Sequence, residues 1–255
     1  IAASIANNSS FNCIATKVVL TSRSWPQRQQ FLGRIEQRLE SLPARPVWYP
    51  GAVDLHQNAT GDSVSNGCLQ PKLFRDVHRE SHPHWFAREW FIPSAVETTV
   101  EGESIEDFCV AVSQIVHDLP GNLAASVTRP DGMATHDESR VELLIEHMRY
   151  GVVAVNTWSA LAYAVANVPW GGFPGGTIES PESGLGYVHN PCFLPLVHNT
   201  ILRSPLRVWP MPPWFPWHGK GGRLTEGVAG MYSAITAGKI GIWNLVRMLP
   251  DVFRG

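Results

Sequence analysis

The chain has 255 residues, of which 44% are hydrophobic and 16% are charged, and its formal net charge is −2. This composition allows one large domain or two small ones. It argues against a nucleic-acid-binding protein, because such proteins usually carry a basic patch or stripe. Four cysteines without a Cys-x-x-Cys pair do not form a disulfide framework, so we expect a reducing, cytoplasmic setting. No apolar run reaches the roughly 20 residues that cross a bilayer, so we expect no membrane span.

The first part of the chain predicts a helix, a strand and a second helix. The small and apolar residues that follow Ile1 are typical of a helix already under way, so we expect the chain to begin at a cut edge. Residues 16–21 form a short β-branched run, which predicts a strand. Ser24 and Gln27 form a candidate capping box for the second helix. Residues 50–84 show little periodicity, and we interpret them as a long irregular excursion.

The middle of the chain alternates strand and helix patterns. Three short runs predict strands, at residues 97–100, 123–128 and 152–155, the last of them wholly apolar. Between them, Ser104 with Asp107 and Thr135 with Glu138 form capping boxes that predict two helices. This strand–helix–strand–helix–strand rhythm implies βαβ crossovers and a parallel sheet, so the predicted fold class is α/β.

The C-terminal part of the chain has a different composition. A glycine-rich stretch follows Trp170, and residues 209–217 combine proline and tryptophan in a way that excludes regular helix and central strand. The pattern becomes helical again over residues 224–253. We therefore expect an α/β domain over residues 1–187. An irregular, Pro/Trp-rich and helical extension suited to a subunit contact is expected over residues 188–255.

Cys13 is the candidate nucleophile. It lies between the first helix pattern and the predicted strand, where a thiol is partly accessible and can be near backbone N–H groups that favour the thiolate. Lys17, four residues later, adds positive charge. A lone cysteine of this kind is more often an inert packing residue, and Cys68, Cys109 and Cys192 are interpreted in that way.

Three histidines, His78, His82 and His84, lie close together in the sequence. They do not complete a zinc-ligand pattern with a carboxylate or a cysteine. No metal site is therefore predicted. The glycine-rich segments do not match a phosphate-binding loop and are interpreted as turns.

Segments of the chain resemble, in the same order, five motifs of the aldehyde dehydrogenase superfamily, the last of which is a pair of segments. Residues 8–13 (Asn-Ser-Ser-Phe-Asn-Cys) with Lys17 are similar to its active-cysteine segment, Asn-x-Gly-Gln-x-Cys followed by a basic residue. Residues 89–93 (Glu-Trp-Phe-Ile-Pro) resemble its Glu-x-Phe-Gly-Pro motif. The remaining resemblances, to two strand motifs and to the pair Pro-Phe-Gly-Gly and Ser-Gly-x-Gly, lie at residues 121–127, 151–156, 169–172 and 183–186.

The resemblance implies part of the catalytic domain of an enzyme that oxidises an aldehyde to a carboxylic acid with NAD or NADP. It implies that Cys13 attacks the aldehyde to give a thiohemiacetal and then a thioester, with its own backbone N–H helping to bind the oxyanion. Glu89 is implied to bind the hydroxyls of the nicotinamide ribose, and Phe91 to pack against the cofactor. The implied partners are a small aldehyde substrate and further copies of the chain in a homo-oligomer.

The chain also departs from the family pattern. Ser10 and Phe11 replace the Gly and Gln of the cysteine motif, and Ile92 replaces a Gly. In the family, the general-base glutamate, the side-chain oxyanion donor and most of the dinucleotide-binding domain precede the cysteine. We therefore expect this chain alone to be inactive and a full-length parent to be the enzyme. Two alternatives stay open: an acylating dehydrogenase or acyl reductase that uses Cys13, and a catalytically silent assembly module.

Overall fold

The computed structural model describes residues 1–64, 66–189, 197–238 and 242–253. The chain divides into two compact units, Ile1–Leu206 and Arg207–Gly255, which are described separately below. Cys192, for which the sequence predicts a packing role, lies outside the described residues.

Short strands and helices alternate along the first unit. Its strands are β1 (Val18–Ser22), β2 (Arg45–Pro46), β3 (Cys68–Leu69), β4 (Lys72–Phe74), β5 (Ser94–Val100), β6 (Ala124–Val127), β7 (Val152–Val155) and β8 (Thr200–Arg203). Its α-helices are α1 (Ala2–Ala6), α2 (Arg28–Glu40), α3 (Ala52–Thr60), α4 (Ile105–Asp118), α5 (Thr135–His147) and α6 (Ala160–Tyr163). Short 3-10 helices lie at Asn7–Ser10 and Pro83–Trp85.

Two parallel sheets organise this unit. One has the strand order β1-β5-β4 and the other β6-β7-β8, and all pairings within them are parallel. The predicted α/β class with parallel strands is therefore confirmed. The central strands β5 and β7 are buried along nearly their whole length, as strands covered on both faces are. β2 and β3 form a short antiparallel ribbon.

The predicted strand–helix rhythm does not run through a single sheet. β6, α5 and β7 form a βαβ unit, because β6 and β7 pair in parallel. β5 and β6 lie in different sheets, so α4 connects two sheets. β8 pairs with β7 although it lies beyond residue 187, so the first compact unit extends past the boundary expected from the sequence.

One apolar core joins the two sheets. Val112 of α4 and Ile145 of α5 pack in the same cluster as Val153 of β7 and Val100 at the end of β5. Burying an aliphatic side chain of this size contributes about 1.5–3 kcal/mol relative to leaving it exposed. Val100 is the last residue of β5, and the candidate site lies at the other end of this strand, in the segments that precede β1 and β5.

Helix capping follows the sequence prediction at one helix and differs at two. Ser104 and Asp107 form the expected reciprocal capping box at α4. At α2, Gln27 makes no side-chain cap, and the Ser24 hydroxyl donates instead to the Gly102 carbonyl at 2.8 Å. At α5 the N-cap is Ala134, because the Glu138 carboxylate accepts a bond from Arg129 at 2.7 Å in place of a capping contact.

The stretch expected to be irregular, residues 50–84, contains regular structure. It includes α3, β3 and the edge strand β4, which pairs in parallel with β5. α3 is bracketed by Gly51 and Gly61, both with left-handed backbone (φ 81° and 73°). β3 and β4 have two and three residues, too few to show hydrophobic periodicity, which is why the sequence does not reveal these two strands.

The second unit contains a pair of helices, α7 (Gly221–Thr236) and α8 (Ile242–Val252). They lie in the region predicted to be helical. Gly227 of α7 allows the close approach, because a Cβ atom there would lie 2.5 Å from the Met248 side chain of α8. Arg223 lies 3.5 Å from the buried Asp251 carboxylate.

Candidate active site

A strained turn precedes Cys13. Three consecutive residues, Asn8, Ser9 and Ser10, adopt left-handed backbone with φ of 50°, 52° and 63°. Such a conformation costs an L-residue roughly 1–2 kcal/mol, and Ser10 occupies the position at which the family motif has Gly. The turn is held by local bonds: the fully buried Ser10 donates to the Ile5 carbonyl at 2.8 Å, and the Asn8 amide donates to the Phe11 carbonyl at 2.9 Å.

Cys13 itself lies in the turn that leads into β1, and its side chain is exposed. The backbone on both sides is fixed. The Asn12 side chain accepts from the Ile14 N–H at 3.2 Å, and the Trp158 indole donates to the Ile14 carbonyl at 2.9 Å. The thiol is therefore presented to solvent from an ordered turn.

Lys17 connects the cysteine turn to a distant segment. Its ammonium group donates to the Ser10 hydroxyl and to the Ile92 carbonyl, both at 2.8 Å. Ile92 is 75 residues away in sequence, directly before β5. Burial lowers the pKa of Lys17 to about 7, against the opposing effect of Glu89, whose negative charge favours the protonated form. The side chain of Lys17 therefore changes between its charged and neutral forms near neutral pH.

Glu89 is electrostatically coupled to both Lys17 and Cys13. Partial desolvation of its carboxyl group raises the pKa of Glu89, although the side chain is exposed at the surface, and the positive charge of Lys17 acts in the opposite direction. Partial desolvation likewise raises the pKa of the exposed Cys13 above its ordinary value; the backbone N–H of Cys13 lowers it, and the charge of Glu89 raises it again. The sequence suggested an environment that favours the thiolate, and this expectation is wrong for the net effect. The backbone N–H acts as expected, but desolvation and a neighbouring anion outweigh it.

Phe91 is held beside the cysteine turn by an aromatic group. Its ring meets the Phe11 ring edge-on at 5.5 Å between centroids, and Phe11 stacks on Tyr49 at 4.9 Å. The Tyr49 hydroxyl donates to the Phe91 carbonyl. Phe11 is still 44% exposed, so this aromatic surface is accessible next to the exposed thiol.

The structure thus brings together the residues singled out from the sequence, Cys13, Glu89 and Phe91, with Lys17 between them. Tyr49 and Trp158 complete the surroundings but were missed. Neither belongs to a recognisable motif, and Tyr49 lies in the part of the chain that showed least periodicity. A tyrosine directly before Pro50-Gly51 is a weak signal of a turn and gives no indication of a partner at Phe91.

Other motif positions have structural roles. Asn156 has a left-handed backbone (φ 59°), and its side-chain oxygen accepts from the Arg129 N–H at 2.8 Å, so it orders the turn after β7 as expected. Gly184 and Gly186 have positive φ (118° and 74°), as expected of turns, whereas Gly151 and Gly171 lie where backbones approach closely. A Cβ atom on Gly151 would lie 1.8 Å from the Gly171 carbonyl, and one on Gly171 would lie 2.4 Å from the Gly186 carbonyl.

Among the described residues, no group of three or more His, Cys, Asp or Glu side chains is arranged to hold a metal ion. The His82 and His84 rings lie 6.3 Å apart and near Trp85 and Trp90, within an aromatic group. In the same described part of the chain, no helix has the length and apolar character needed to cross a membrane.

No family model and no curated protein matches the chain. Solved structures of aldehyde dehydrogenases do. The salicylaldehyde dehydrogenase of Pseudomonas putida G7 is 15% identical, with a TM-score of 0.55, over 74% of this chain and 40% of that one. The NAD-dependent aldehyde dehydrogenase of Sinorhizobium meliloti is 16% identical, with a TM-score of 0.56, over 74% and 38%. An aldehyde dehydrogenase of Mycobacterium tuberculosis complexed with NAD+ is 17% identical, with a TM-score of 0.51, over 74% and 39%.

These similarities establish the fold. The first unit has the fold of part of an aldehyde dehydrogenase catalytic domain, as the resemblance of the motifs implied. The chain spans about 40% of the length of the enzymes that it matches.

Proposed function

We propose that this chain supplies the nucleophile-bearing part of an NAD(P)-dependent aldehyde dehydrogenase, with Cys13 as the nucleophile. The main support for the proposal is that two segments far apart in sequence, the cysteine turn and the residues before β5, lie together beside one exposed thiol. The fold in which they do so is that of part of an aldehyde dehydrogenase. Lys17 joins the segments, Glu89 approaches Cys13 closely enough to change its pKa, and Phe91 packs on the cysteine turn through Phe11. Because the chain spans about 40% of the matched enzymes, the proposal concerns the protein in which it stands beside the remainder of such an enzyme.

The residues around Cys13 fit a nicotinamide cofactor. Glu89 is exposed, and a carboxylate can accept hydrogen bonds from two adjacent ribose hydroxyls at once. Phe91, half-buried against Phe11, offers an aromatic surface against which a flat ring can pack. When bound, NAD(P)+ supplies the acceptor for a hydride ion. Of the matched enzymes, one is NAD-dependent and another is complexed with NAD+, which agrees with a nicotinamide cofactor beside Glu89 and Phe91.

Cys13 performs the covalent chemistry in this proposal. Its thiolate attacks the carbonyl carbon of the aldehyde, forming a C–S bond while the carbonyl oxygen becomes an oxyanion. The backbone N–H of Cys13 stabilises that oxyanion in this proposal. Loss of hydride from the same carbon gives a thioester. Attack of water on the thioester releases the carboxylic acid and returns the thiol.

The raised pKa of Cys13 has a consequence for this mechanism. Because the thiol form predominates at neutral pH, the fraction of thiolate, and with it the rate of attack, rises as the pH increases. Among the described residues, the side-chain charge that acts on Cys13 is that of Glu89, and it opposes formation of the thiolate. The proposal therefore includes the expectation that the 255-residue chain alone does not turn over aldehyde.

Aldehyde-dependent formation of NAD(P)H tests the proposal. We expect activity from a protein that combines this chain with the remainder of the enzyme. We expect Cys13→Ser to abolish it, while the matched substitution Cys68→Ser preserves it, because Cys68 lies in the β2–β3 ribbon away from the site. If NAD(P)H forms only when a free thiol such as coenzyme A accepts the acyl group, the enzyme is an acylating dehydrogenase. No NAD(P)H from a broad aldehyde panel under either condition would contradict the proposal.

A further inference from the structure

The helix α8 and the residue that follows it carry an apolar face that is largely exposed among the described residues. Its contact with α7 is made by Met248, which lies against Gly227, and by the buried Asp251. Four large apolar residues, spaced three, three and four positions apart, form a separate stripe along the helix. They are exposed to 73%, 47%, 49% and 54%: Trp243, Val246, Leu249 and Phe253.

The neighbouring helix α7 also exposes apolar side chains. Val228, Tyr232 and Ile235 of α7, spaced four and three positions apart, are exposed to 50%, 70% and 58%. Trp209, 79% exposed, adds a further aromatic ring, and it lies 5.7 Å from the Phe253 ring. Contiguous apolar patches of this kind on a soluble protein mark interaction sites. Tryptophan, tyrosine and phenylalanine are the side chains favoured where an apolar phase meets water.

The charge of this unit differs in sign from the rest of the chain. Residues 207–255 contain six Lys and Arg residues and two Asp and Glu residues, whereas residues 1–206 contain 14 and 20. Arg247 lies within α8, between Val246 and Met248, and is exposed, as is Arg207 at the beginning of the unit. Basic charge is thus concentrated in the same 49 residues that expose the aromatic and aliphatic side chains. An anionic surface complements this combination.

The lengths of the helices decide how such a surface would be bound. α8 has 11 residues and α7 has 16, and crossing a bilayer takes roughly 20 apolar residues. A short helix with an apolar stripe, flanked by basic residues, lies in the plane of the headgroups instead. A second copy of this unit would bring an equally basic surface to the same face, so self-association through it sets like charges together.

We propose that residues 207–255 form a peripheral membrane-binding unit, which places the apolar stripe of α8 into the headgroup region of an anionic lipid bilayer. The inserted side chains are Trp243, Val246, Leu249 and Phe253. Basic residues of the unit, among them Arg247, meet the lipid phosphates. This proposal is independent of the chemistry at Cys13, and either can hold without the other.

Vesicle sedimentation of the full 255-residue chain tests the proposal. The probes are vesicles of phosphatidylcholine alone and of phosphatidylcholine mixed with phosphatidylserine. We expect binding to the mixed vesicles, little binding to the neutral ones, and weakening as salt is raised. The double substitution V246S/L249S removes apolar area from the stripe and should lower the partition coefficient about tenfold or more. Circular dichroism confirms that this variant, altered only at exposed positions, keeps its helices.

Ile178→Ser is the matched control. Ile178 is 85% exposed but lies in the first unit, so its substitution should leave vesicle binding unchanged. Three results would overturn the proposal: no binding of the original chain to mixed vesicles, equal binding of V246S/L249S, or the same loss in I178S. Dimerisation that V246S/L249S abolishes, without vesicle binding, would assign the face to a second copy of the chain and would also overturn it.

Discussion

The ammonium group of Lys17 donates to the Ser10 hydroxyl at 2.8 Å and, at the same distance, to the Ile92 carbonyl. One side chain therefore fastens the strained turn before Cys13 to the segment that carries Glu89 and Phe91. The amine of Lys17 is buried to make these contacts, and burial disfavours its charged form. The geometry of the proposed nucleophile is thus linked to the protonation of a single amine.

Lys17 should make the stability of the chain depend on pH. In the folded chain its pKa is about 7, against an ordinary value of 10.5, so between these values the unfolded chain binds more protons. The free energy of unfolding should therefore rise with pH over this window and be independent of Lys17 below it. Lys17→Met should remove that rise.

Chemical denaturation at a series of pH values between 6 and about 9.5 would measure this difference, with the upper limit set below the range in which tyrosines titrate. Lys72→Met is the matched control, because Lys72 pairs with Asp62 at 2.7 Å at the exposed edge of β4. A slope that Lys17→Met leaves unchanged would show that the amine titrates in the same way in both states.

Glu89→Gln should make Cys13 more reactive in the isolated chain. Glu89 raises the pKa of Cys13 by its negative charge, so neutralising it should lower that pKa and increase the fraction of thiolate. We expect alkylation at a pH below the thiol pKa to become roughly two- to threefold faster. Iodoacetamide labelling read by mass spectrometry measures the rate at Cys13 separately from the other cysteines.

Glu179→Gln, at an exposed carboxylate outside the site, is the control for the labelling experiment. The pH at which the labelling rate of Cys13 is half of its maximum should shift downwards only in Glu89→Gln. Equal midpoints in Glu89→Gln and the unmodified chain would show that the two side chains are not coupled.

Ser9→Gly should relieve strain in the turn. Ser9 has a φ of 52°, which costs an L-residue roughly 1–2 kcal/mol, part of which is offset by the greater freedom of glycine in the unfolded chain. We expect Ser9→Gly to be about 1 kcal/mol more stable than Ser9→Ala, since alanine keeps the Cβ atom. Thermal unfolding of the two variants measures the difference, and a more stable alanine variant would disprove the strain.

Removing one partner of the buried ion pair between Arg28 and Glu97 should strongly destabilise the fold. Glu97 is fully buried and accepts bonds from Arg28 at 3.0 and 2.6 Å, from Thr21, and from the Asp76 N–H at 3.1 Å. Glu97→Ala leaves Arg28 without its main partner and should cost about 3–5 kcal/mol.

The exposed pair Arg23–Glu101 provides the comparison, with side chains 52% and 77% exposed. Glu101→Ala should cost no more than about 1 kcal/mol. Denaturant titration of both variants gives the two values. Similar costs would indicate that burial does not determine the contribution of these pairs.

Local sequence signals predicted the local parts of the fold. Residues 152–155 form β7 as predicted, because four consecutive apolar residues indicate a fully buried strand. Ser104 and Asp107 cap α4, because a capping box is a local interaction. That Cys13, Glu89 and Phe91 belong to one site was predicted from the resemblance of whole motifs. Such a resemblance contains information about tertiary structure, which hydrophobic periodicity does not.

The electrostatics of the site could not be predicted in the same way. The raised pKa of Cys13 depends on its burial and on Glu89, 76 residues later in the chain, and neither is visible in the residues next to the cysteine. The same holds for Tyr49, whose hydroxyl meets a carbonyl 42 residues away. The division of the parallel strands into two sheets also depends on tertiary packing, since β5 and β6 follow each other with an ordinary helix between them.

The most direct test of the central claim is to identify the acylated residue. A protein that combines this chain with the remainder of the enzyme is mixed with aldehyde and NAD(P)+, quenched in acid within one turnover, digested and analysed by mass spectrometry. The proposed mechanism predicts an acyl group on the peptide that contains Cys13, present only when both aldehyde and NAD(P)+ are supplied. Turnover with no acyl group on Cys13, or with the acyl group on Cys68 or Cys109, would contradict the assignment of Cys13 as the nucleophile.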